Sequence, residues 1–279
     1  MITCNLMGGL GNQIFQIFAT IAYSIKSKNK FQFLAQETLG GGSSTLRYTF
    51  WNTFFSNLKP FLIHSLPPVN VIRENGFAFQ ELPVDSMIGT NVLIHGYFQS
   101  EKYFKDQYEM ICRLIGLENL KQSLLYKLKK EYLDLNNTIS MHFRLGDYKK
   151  LQDFHPIATQ QYYENSLNHF KAQFPEANFR ILYFCEDEDE NEVEMTIQNL
   201  KNAFPNYEFE RANNTLADWE QMLYMSVCRH NIIANSSFSW WGAYFNSNKE
   251  KVVCYPSVWF GNNMDTRDLC AESWIKIDI

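Results

Sequence analysis

Apolar positions along this chain follow two rhythms. Short unbroken apolar runs suit strands buried on both faces, and longer segments with an apolar residue every three or four positions suit helices. The first unit shows both: Ile2 to Met7 reads as a strand, Gly8-Gly9-Leu10-Gly11-Asn12-Gln13 as a turn, and Ile14, Phe15, Phe18, Ile21, Ala22 and Ile25 as one face of a helix. Further on, Val92 to His95 reads as a strand ending near Gly96, followed by a helix capped by Ser100 that runs toward Leu117. A charged helix from about Gln122 to Leu133, then Asn136-Asn137, closes a first lobe over residues 1–136. The second lobe, residues 137–279, opens on the strand Thr138-Ile139-Ser140-Met141. A helix Gln160 to Phe174, stopped by Pro175, leads to a strand Phe179 to Phe184; a helix Asp218 to Arg229 leads to a strand Asn231 to Ala234. Val252 to Trp259 reads as a final strand and a packing segment. The pattern predicts two compact α/β lobes.

Between these elements, Gly40-Gly41-Gly42-Ser43-Ser44 reads as a flexible loop, followed by Tyr48, Phe50, Trp51, Phe54 and Phe55. That aromatic spacing fits a buried helix face as well as a sugar platform, and burial is the default.

Composition changes the picture in three ways. An aromatic fraction of 16% leaves ring surface for a cleft beyond what a core needs. A formal net charge of -5 and a pI near 5.7 disfavour nucleic acid and anionic membranes as partners, so any phosphate must be met locally. The cysteines Cys4, Cys112, Cys185, Cys228, Cys254 and Cys270 are widely spaced, with no CxxC pair, and read as reduced core residues. There is no charged leader and no apolar run long enough to span a bilayer, which points to a soluble cytoplasmic chain. The sequons at Asn136, Asn213 and Asn235 then carry no weight.

Four stretches carry candidate chemistry. In His142-Phe143-Arg144-Leu145-Gly146-Asp147-Tyr148, His142 and Arg144 share a face just past a buried strand. A guanidinium at a strand's carboxyl end suits a phosphate, which it can grip with two parallel bonds. The alternative is that Arg144 pairs with Asp147 and pins a turn. In the glycine turn, Ile14 stands where a dinucleotide fingerprint needs its third glycine, which weakens a nicotinamide reading. Gly9 and Gly11 would still admit a ligand to the backbone, with Asn12 and Gln13 offering amides at a helix start; a simple strand-to-helix turn is the competing reading. After the strand ending at Phe184 comes Cys185-Glu186-Asp187-Glu188-Asp189-Glu190. Glu186 or Asp187 could hold ribose hydroxyls or base N–H groups, with the remaining acids facing solvent. Finally, Asn235-Ser236-Ser237-Phe238-Ser239 delivers more hydroxyl and amide groups to a helix start than capping requires, followed by Trp240 and Trp241. That cluster suits a diphosphate.

Gly8-Gly9-Leu10-Gly11-Asn12-Gln13-Ile14-Phe15-Gln16, Gly96-Tyr97-Phe98-Gln99-Ser100-Glu101-Lys102-Tyr103-Phe104, His142-Phe143-Arg144-Leu145-Gly146-Asp147-Tyr148 and Asn235-Ser236-Ser237-Phe238-Ser239-Trp240-Trp241-Gly242-Ala243, in this order along the chain, resemble the α-1,2-fucosyltransferase family of bacterial and viral type. The resemblance implies a GT-B-like α/β fold, two Rossmann-type lobes whose parallel sheets face across a cleft, with the acceptor on the N-terminal side and the donor on the C-terminal side. It implies GDP-fucose as donor, a galactose-containing oligosaccharide as acceptor, and inversion at the anomeric carbon with no cofactor and no obligatory metal. Arg144 would hold the donor diphosphate with the Asn235 to Ser239 block alongside. His142 and Asp147 are near enough in sequence to be considered as the base, which stays unassigned; Asp147 is read as orienting Arg144. Where family members often carry a serine and paired aspartates, this chain has Cys185-Glu186-Asp187. Asp187-x-Asp189 also has the form of the metal-binding DxD of another glycosyltransferase architecture, so a divalent ion is the alternative. Rival readings are a transferase using GDP-mannose or a UDP-sugar, and a silent glycan-binding protein of the same fold.

Overall fold

The computed structural model describes residues 1–40, 46–128, 134–261 and 264–279. Most of the loop expected at Gly40 to Ser44, and the end of the helix expected to reach Leu133, lie outside the described residues. The chain forms two compact units, Met1–Leu120 with Asp265–Ala271, and Lys121–Met264 with Glu272–Ile279.

The first unit runs β1 (Ile2–Cys4), α1 (Leu10–Lys26), β2 (Phe33–Leu34), β3 (Thr38–Leu39), β4 (Arg47–Tyr48), β5 (Leu62–Ile63), β6 (Asn70–Arg73), β7 (Val92–His95) and α2 (Tyr108–Ile115). Helix α3 (Leu117–Leu128) spans the division between units. The central strands are parallel in the order β1-β7-β6, with β2 paired to β5 and β3 to β4 in separate small sheets. Helix α1 is buried along nearly its whole length, because its polar residues are small or are glutamines that bond backbone carbonyls. Ile25, expected on the buried face, is exposed in the last turn. Trp51, Phe54 and Phe55 are core residues that sit in turns, not on a helix, whereas Tyr48 is exposed at the end of β4.

Ser100 caps as expected, accepting the N–H of Lys102 at 3.3 Å, but it starts only a 3-10 turn, Glu101–Tyr103. The backbone bends at Phe104 (φ -140), whose ring is fully buried against Phe15 and Phe18 at 6.1 and 5.5 Å. Seating that ring interrupts the helix, which begins at Tyr108 and ends at Gly116 in the left-handed region.

The second unit continues with β8 (Thr138–His142), α4 (Gln160–Gln173), β9 (Arg180–Phe184), α5 (Glu190–Ala203), β10 (Glu208–Arg211), α6 (Asp218–Val227), β11 (His230–Ile232), α7 (Ser237–Tyr244), β12 (Val253–Pro256) and β13 (Ile275–Ile277). All six strands are parallel in the order β10-β9-β8-β11-β12-β13. Val253–Pro256 is therefore not the last strand; the short edge strand β13 carries a charge at its centre and lacks the length that would mark it in the sequence. From β8 the chain builds outward through β9 and β10, then returns to lay β11 on β8's other side. That reversal is the topological switch point, where open α/β sheets take ligands at their carboxyl ends. A buried asparagine pins the seam: Asn231 Nδ2 donates to Ser140 Oγ at 2.7 Å and to the Met225 carbonyl at 2.9 Å, and its Oδ1 accepts from Asn246 at 2.9 Å. Among the described residues no helix is long and apolar enough to cross a membrane, and all six cysteines are free.

Candidate active site

Every residue of β8 is buried, so a polar group can first leave the core where the strand ends. His142 is the last strand residue and Arg144 stands two beyond it. Next to β8, β11 ends at Ile232 and passes through Asn235 into α7. The structure thus brings the His142 to Tyr148 and Asn235 to Ser239 blocks together at the switch point. The His142 and Phe238 rings lie 5.6 Å apart, and the Tyr148 hydroxyl donates to the Asn235 carbonyl at 3.2 Å.

Arg144 does pair with Asp147, but that is only half of its engagement. One terminal nitrogen bonds Asp147 and the other bonds Glu186 beyond the end of β9, and the guanidinium carbon sits 5.1 Å over the Tyr148 ring. Burial works against the charge, yet the two carboxylates outweigh it and hold the guanidinium above its usual pKa. The fork is a fixed cation whose orientation is set from three sides. Tyr148 is itself stacked on His155 at 4.4 Å.

Gly146 shapes the turn below. Its φ of +33 disfavours a side chain, and an added Cβ would lie 2.5 Å from Glu186 Oε2. Its N–H donates to Asp189 Oδ2 at 2.7 Å, and Asp189 also holds Lys149 at 2.8 Å. Asp189, expected to face solvent, is only 3% exposed. The reason is that it serves as the internal anchor of the arginine turn, while Glu186, Asp187, Glu188 and Glu190 are exposed. Asp187 bonds Arg211 at 2.5 Å and Asn214 at 3.1 Å, and these bonds hold its carboxyl below the usual range. The two carboxylates of Asp187-x-Asp189 are thus turned to different partners. Among the described residues, no group of three or more His, Cys, Asp or Glu is placed to hold a metal ion.

His142 is 8% exposed, and burial, helped by the Arg144 charge, pushes its pKa down to about 3. It is neutral at physiological pH, with Nδ1 unpartnered. In the serine block the groups divide. Asn235 turns its amide nitrogen to the carbonyls of Pro156 and Trp259 at 2.7 and 3.1 Å. Ser236 caps α7 by accepting the Phe238 N–H at 3.3 Å, and the buried Ser239 hydroxyl is directed at the Ala234 and Ser236 carbonyls. Ser237 alone of the three serines is half-buried and makes no side-chain hydrogen bond among the described residues. Trp240 and Trp241 are fully buried.

Gly9, Gly11, Asn12 and Gln13 belong to the first unit. Gly9 is the N-cap of α1 and an added Cβ there would meet nothing within 4 Å. Gly11 and Gln13 are buried in the helix; Gln13 bonds the carbonyls of Gly8 and Tyr48 at 3.1 and 2.9 Å. Asn12 Oδ1 accepts from Gln99 Nε2 at 2.8 Å. Roles that local pattern did not show are those of Tyr148, as the platform under Arg144, and of Asp189, named only as a possible metal ligand, as the anchor of the arginine turn. Tyr148 lies inside the arginine block, but a stacking role is invisible without the fold. Nothing within an acidic run tells which member is buried.

Comparison with known proteins adds an independent line. Residues 1–278 match the family described as Glycosyl transferase family 11. An α-1,2-colitosyltransferase of Escherichia coli is 25% identical over 296 aligned positions, covering 100% of this chain and 99% of the relative. The O-antigen biosynthesis glycosyltransferase WbnK of Escherichia coli is 29% identical, covering 99% of this chain and 100% of the relative. In structure, a family 9 glycosyl transferase from Veillonella parvula superposes with a TM-score of 0.51 at 9% identity, over 99% of this chain and 86% of the other. That likeness is one of fold, and it agrees with the two parallel-sheet units in calling the architecture GT-B-like. With the match running essentially end to end, the chain belongs to glycosyl transferase family 11 and is a glycosyltransferase.

Proposed function

We propose that this enzyme moves L-fucose from GDP-β-L-fucose to the 2-hydroxyl of a terminal galactoside, forming an α-1,2 linkage with inversion and with no obligatory metal. The observation that carries the reading is Arg144, a fork held by Glu186, Asp147 and Tyr148 at the carboxyl end of β8, beside the N-terminus of α7. As the glycosidic C–O bond stretches, the departing diphosphate gains negative charge and the sugar becomes cation-like. A preorganised cation and helix-terminal N–H groups therefore act most strongly in the transition state. In this reading Arg144 receives the diphosphate, with the free N–H groups and the Ser237 hydroxyl of the α7 start alongside. Asp147 orients the arginine. Glu186 holds the fork while the site is empty and gives way to the diphosphate, with Asp187 near the nucleoside. A neutral imidazole with a pKa near 3 is a weak base, so His142 contributes shape and not proton abstraction. Within the first unit, the Gly9 to Gln13 turn is a candidate donor-contacting element of its own.

Family membership and relatives whose names carry an α-1,2 linkage and O-antigen synthesis support this reading. A colitosyltransferase among them favours a second one, α-1,2 transfer of a different sugar from its nucleotide. The test is incubation of the purified protein with GDP-fucose, GDP-mannose and UDP-sugars against a panel of galactosides, with and without excess chelator, and NMR assignment of the product linkage. Transfer from GDP-fucose to the 2-position that persists in chelator is expected. Transfer only from another nucleotide sugar moves the conclusion to the second reading, and turnover abolished by chelator and restored by Mn2+ overturns metal independence.

A further inference from the structure

In the first unit, the loop after β7 is organised by a carboxylate. Glu74 Oε2 accepts the N–H groups of Tyr97 and Phe98 at 2.7 and 2.9 Å, and its Oε1 accepts the Tyr103 hydroxyl at 3.2 Å. Gly96 has no room for a side chain, since an added Cβ would lie 2.4 Å from Glu74 Cβ. Phe98 is held at φ +52, a strained value for a non-glycine residue, with its ring fully buried. A strained backbone locked from two sides fixes the direction of the next side chain, Gln99. Gln99 is 6% exposed and its Nε2 donates to Asn12 Oδ1 at 2.8 Å.

That bond decides the polarity of Asn12. An amide offers an acceptor at one end and two donors at the other, so engaging Oδ1 leaves the NH2 group for a different partner. Asn12 is half-buried at the start of α1, and its Nδ2 lies over Gly8, 2.4 Å from where a Cβ would stand. Gly8, at φ +75, is free of one. Beside it, Gly9 faces open space. Among the described residues Asn12 Nδ2 donates to no protein group.

We propose that Gln99 is a positioning residue that holds the Asn12 amide with its NH2 outward, so that Asn12 donates a hydrogen bond to an oxygen of the bound substrate. This rests on the reading of the Gly9 to Gln13 turn as part of the substrate site. Gln99→Glu keeps the shape and removes the donor, so the Asn12 amide turns over to bond the new carboxylate and presents oxygen to the substrate. The expected result is a loss of about tenfold or more in kcat/KM, the usual effect of losing a bond to a charged or reacting oxygen. Gln99→Met, which adds no buried charge, should show a smaller loss of the same kind if Gln99→Glu folds poorly. The two residues act as one, so Gln99→Met added to Asn12→Ala should change the rate less than about twofold, whereas a purely structural role makes the losses multiply. A second readout needs no turnover. The Asn12 side-chain NH2 resonances, identified by their loss in Asn12→Asp, should move in both Gln99 variants. Wild type that transfers no sugar defeats the proposed function while leaving this NMR arm informative. Unmoved Asn12 resonances, or multiplying losses, overturn the role of Gln99 by itself.

Discussion

Replacing Arg144 by alanine removes the guanidinium at the switch point and should separate activity from stability. Loss of one preorganised donor at a developing anion typically costs on the order of 3 kcal/mol, which is roughly 160-fold in kcat. The stability cost is smaller. The ion pairs join a side chain that is 20% exposed to carboxylates that are 45% and 47% exposed, so solvent screens them and rehydrates Glu186 and Asp147 once the arginine is gone. About 1 kcal/mol is expected, a fall of about 2–4 °C in Tm for a chain of this size. Arg144→Lys should recover less than about a tenth of the lost rate, because one ammonium cannot replace a planar fork between two carboxylates and a ring. The assay is steady-state transfer from GDP-fucose with thermal melts on the same preparations. A variant Arg144→Ala keeping kcat within about threefold, or losing activity only in proportion to its unfolded fraction, would refute the assignment.

Three other outcomes follow from the same geometry. Glu186→Gln removes the charge that occupies Arg144 before the donor arrives, so the donor KM should fall by about threefold to tenfold; a rise in KM would make Glu186 a nucleoside contact instead. Burial lowers the pKa of His142 to about 3 and of His230 to about 4, with Arg144 and Arg229 adding to it. Each histidine therefore binds its proton more readily when unfolded. Stability from both is complete above pH 6.5 and is lost as pH falls toward 4, at up to about 1.4 kcal/mol per pH unit for each; Tm measured from pH 7 to 4 should drop, and a His142→Gln variant whose Tm falls just as steeply would contradict this. Gly8→Ala forces a side chain to φ +75 against Asn12 and should destabilise by about 1–3 kcal/mol, with an unchanged melting curve as the contrary result.

How much of this could be read along the chain depended on whether the cause was local. The periodicity of Ile14 to Ile25, the helix start after the serine block and the buried run of β8 are local, and those elements form, although α1 begins at Leu10, inside the stretch read as a turn. Phe104 bends the backbone to reach Phe15 and Phe18, partners nearly ninety residues earlier, so the helix expected from Ser100 became 3-10 turns. The same holds in the site. The arginine block and the serine block announce themselves by composition, but which groups remain available does not. Ser239 spends its hydroxyl on carbonyls and Asn235 its amide on two loops, because those atoms fall inside the seam between β8, β11 and the 154–156 and 259–261 segments. Asp189 looked like any member of an acidic run until Gly146 needed an acceptor beneath it.

Two bonded carboxylates do not take Arg144 out of use, because both stand near water. Glu186 and Asp147 are each nearly half open to water, so releasing one regains much of its hydration and costs little. A diphosphate brings more charge to the fork than the single carboxylate it displaces, and it gains further charge as the sugar departs. In the proposed reading the exchange is close to balanced in the ground state and favourable in the transition state, which is the difference that accelerates a reaction. The carboxylates also keep the guanidinium oriented while the site is empty, with Tyr148 beneath it, so no reorganisation is required when charge develops. In the proposed reading, then, the two ion pairs of Arg144 belong to the catalytic arrangement, and the half-exposure of their carboxylates is what lets them give way.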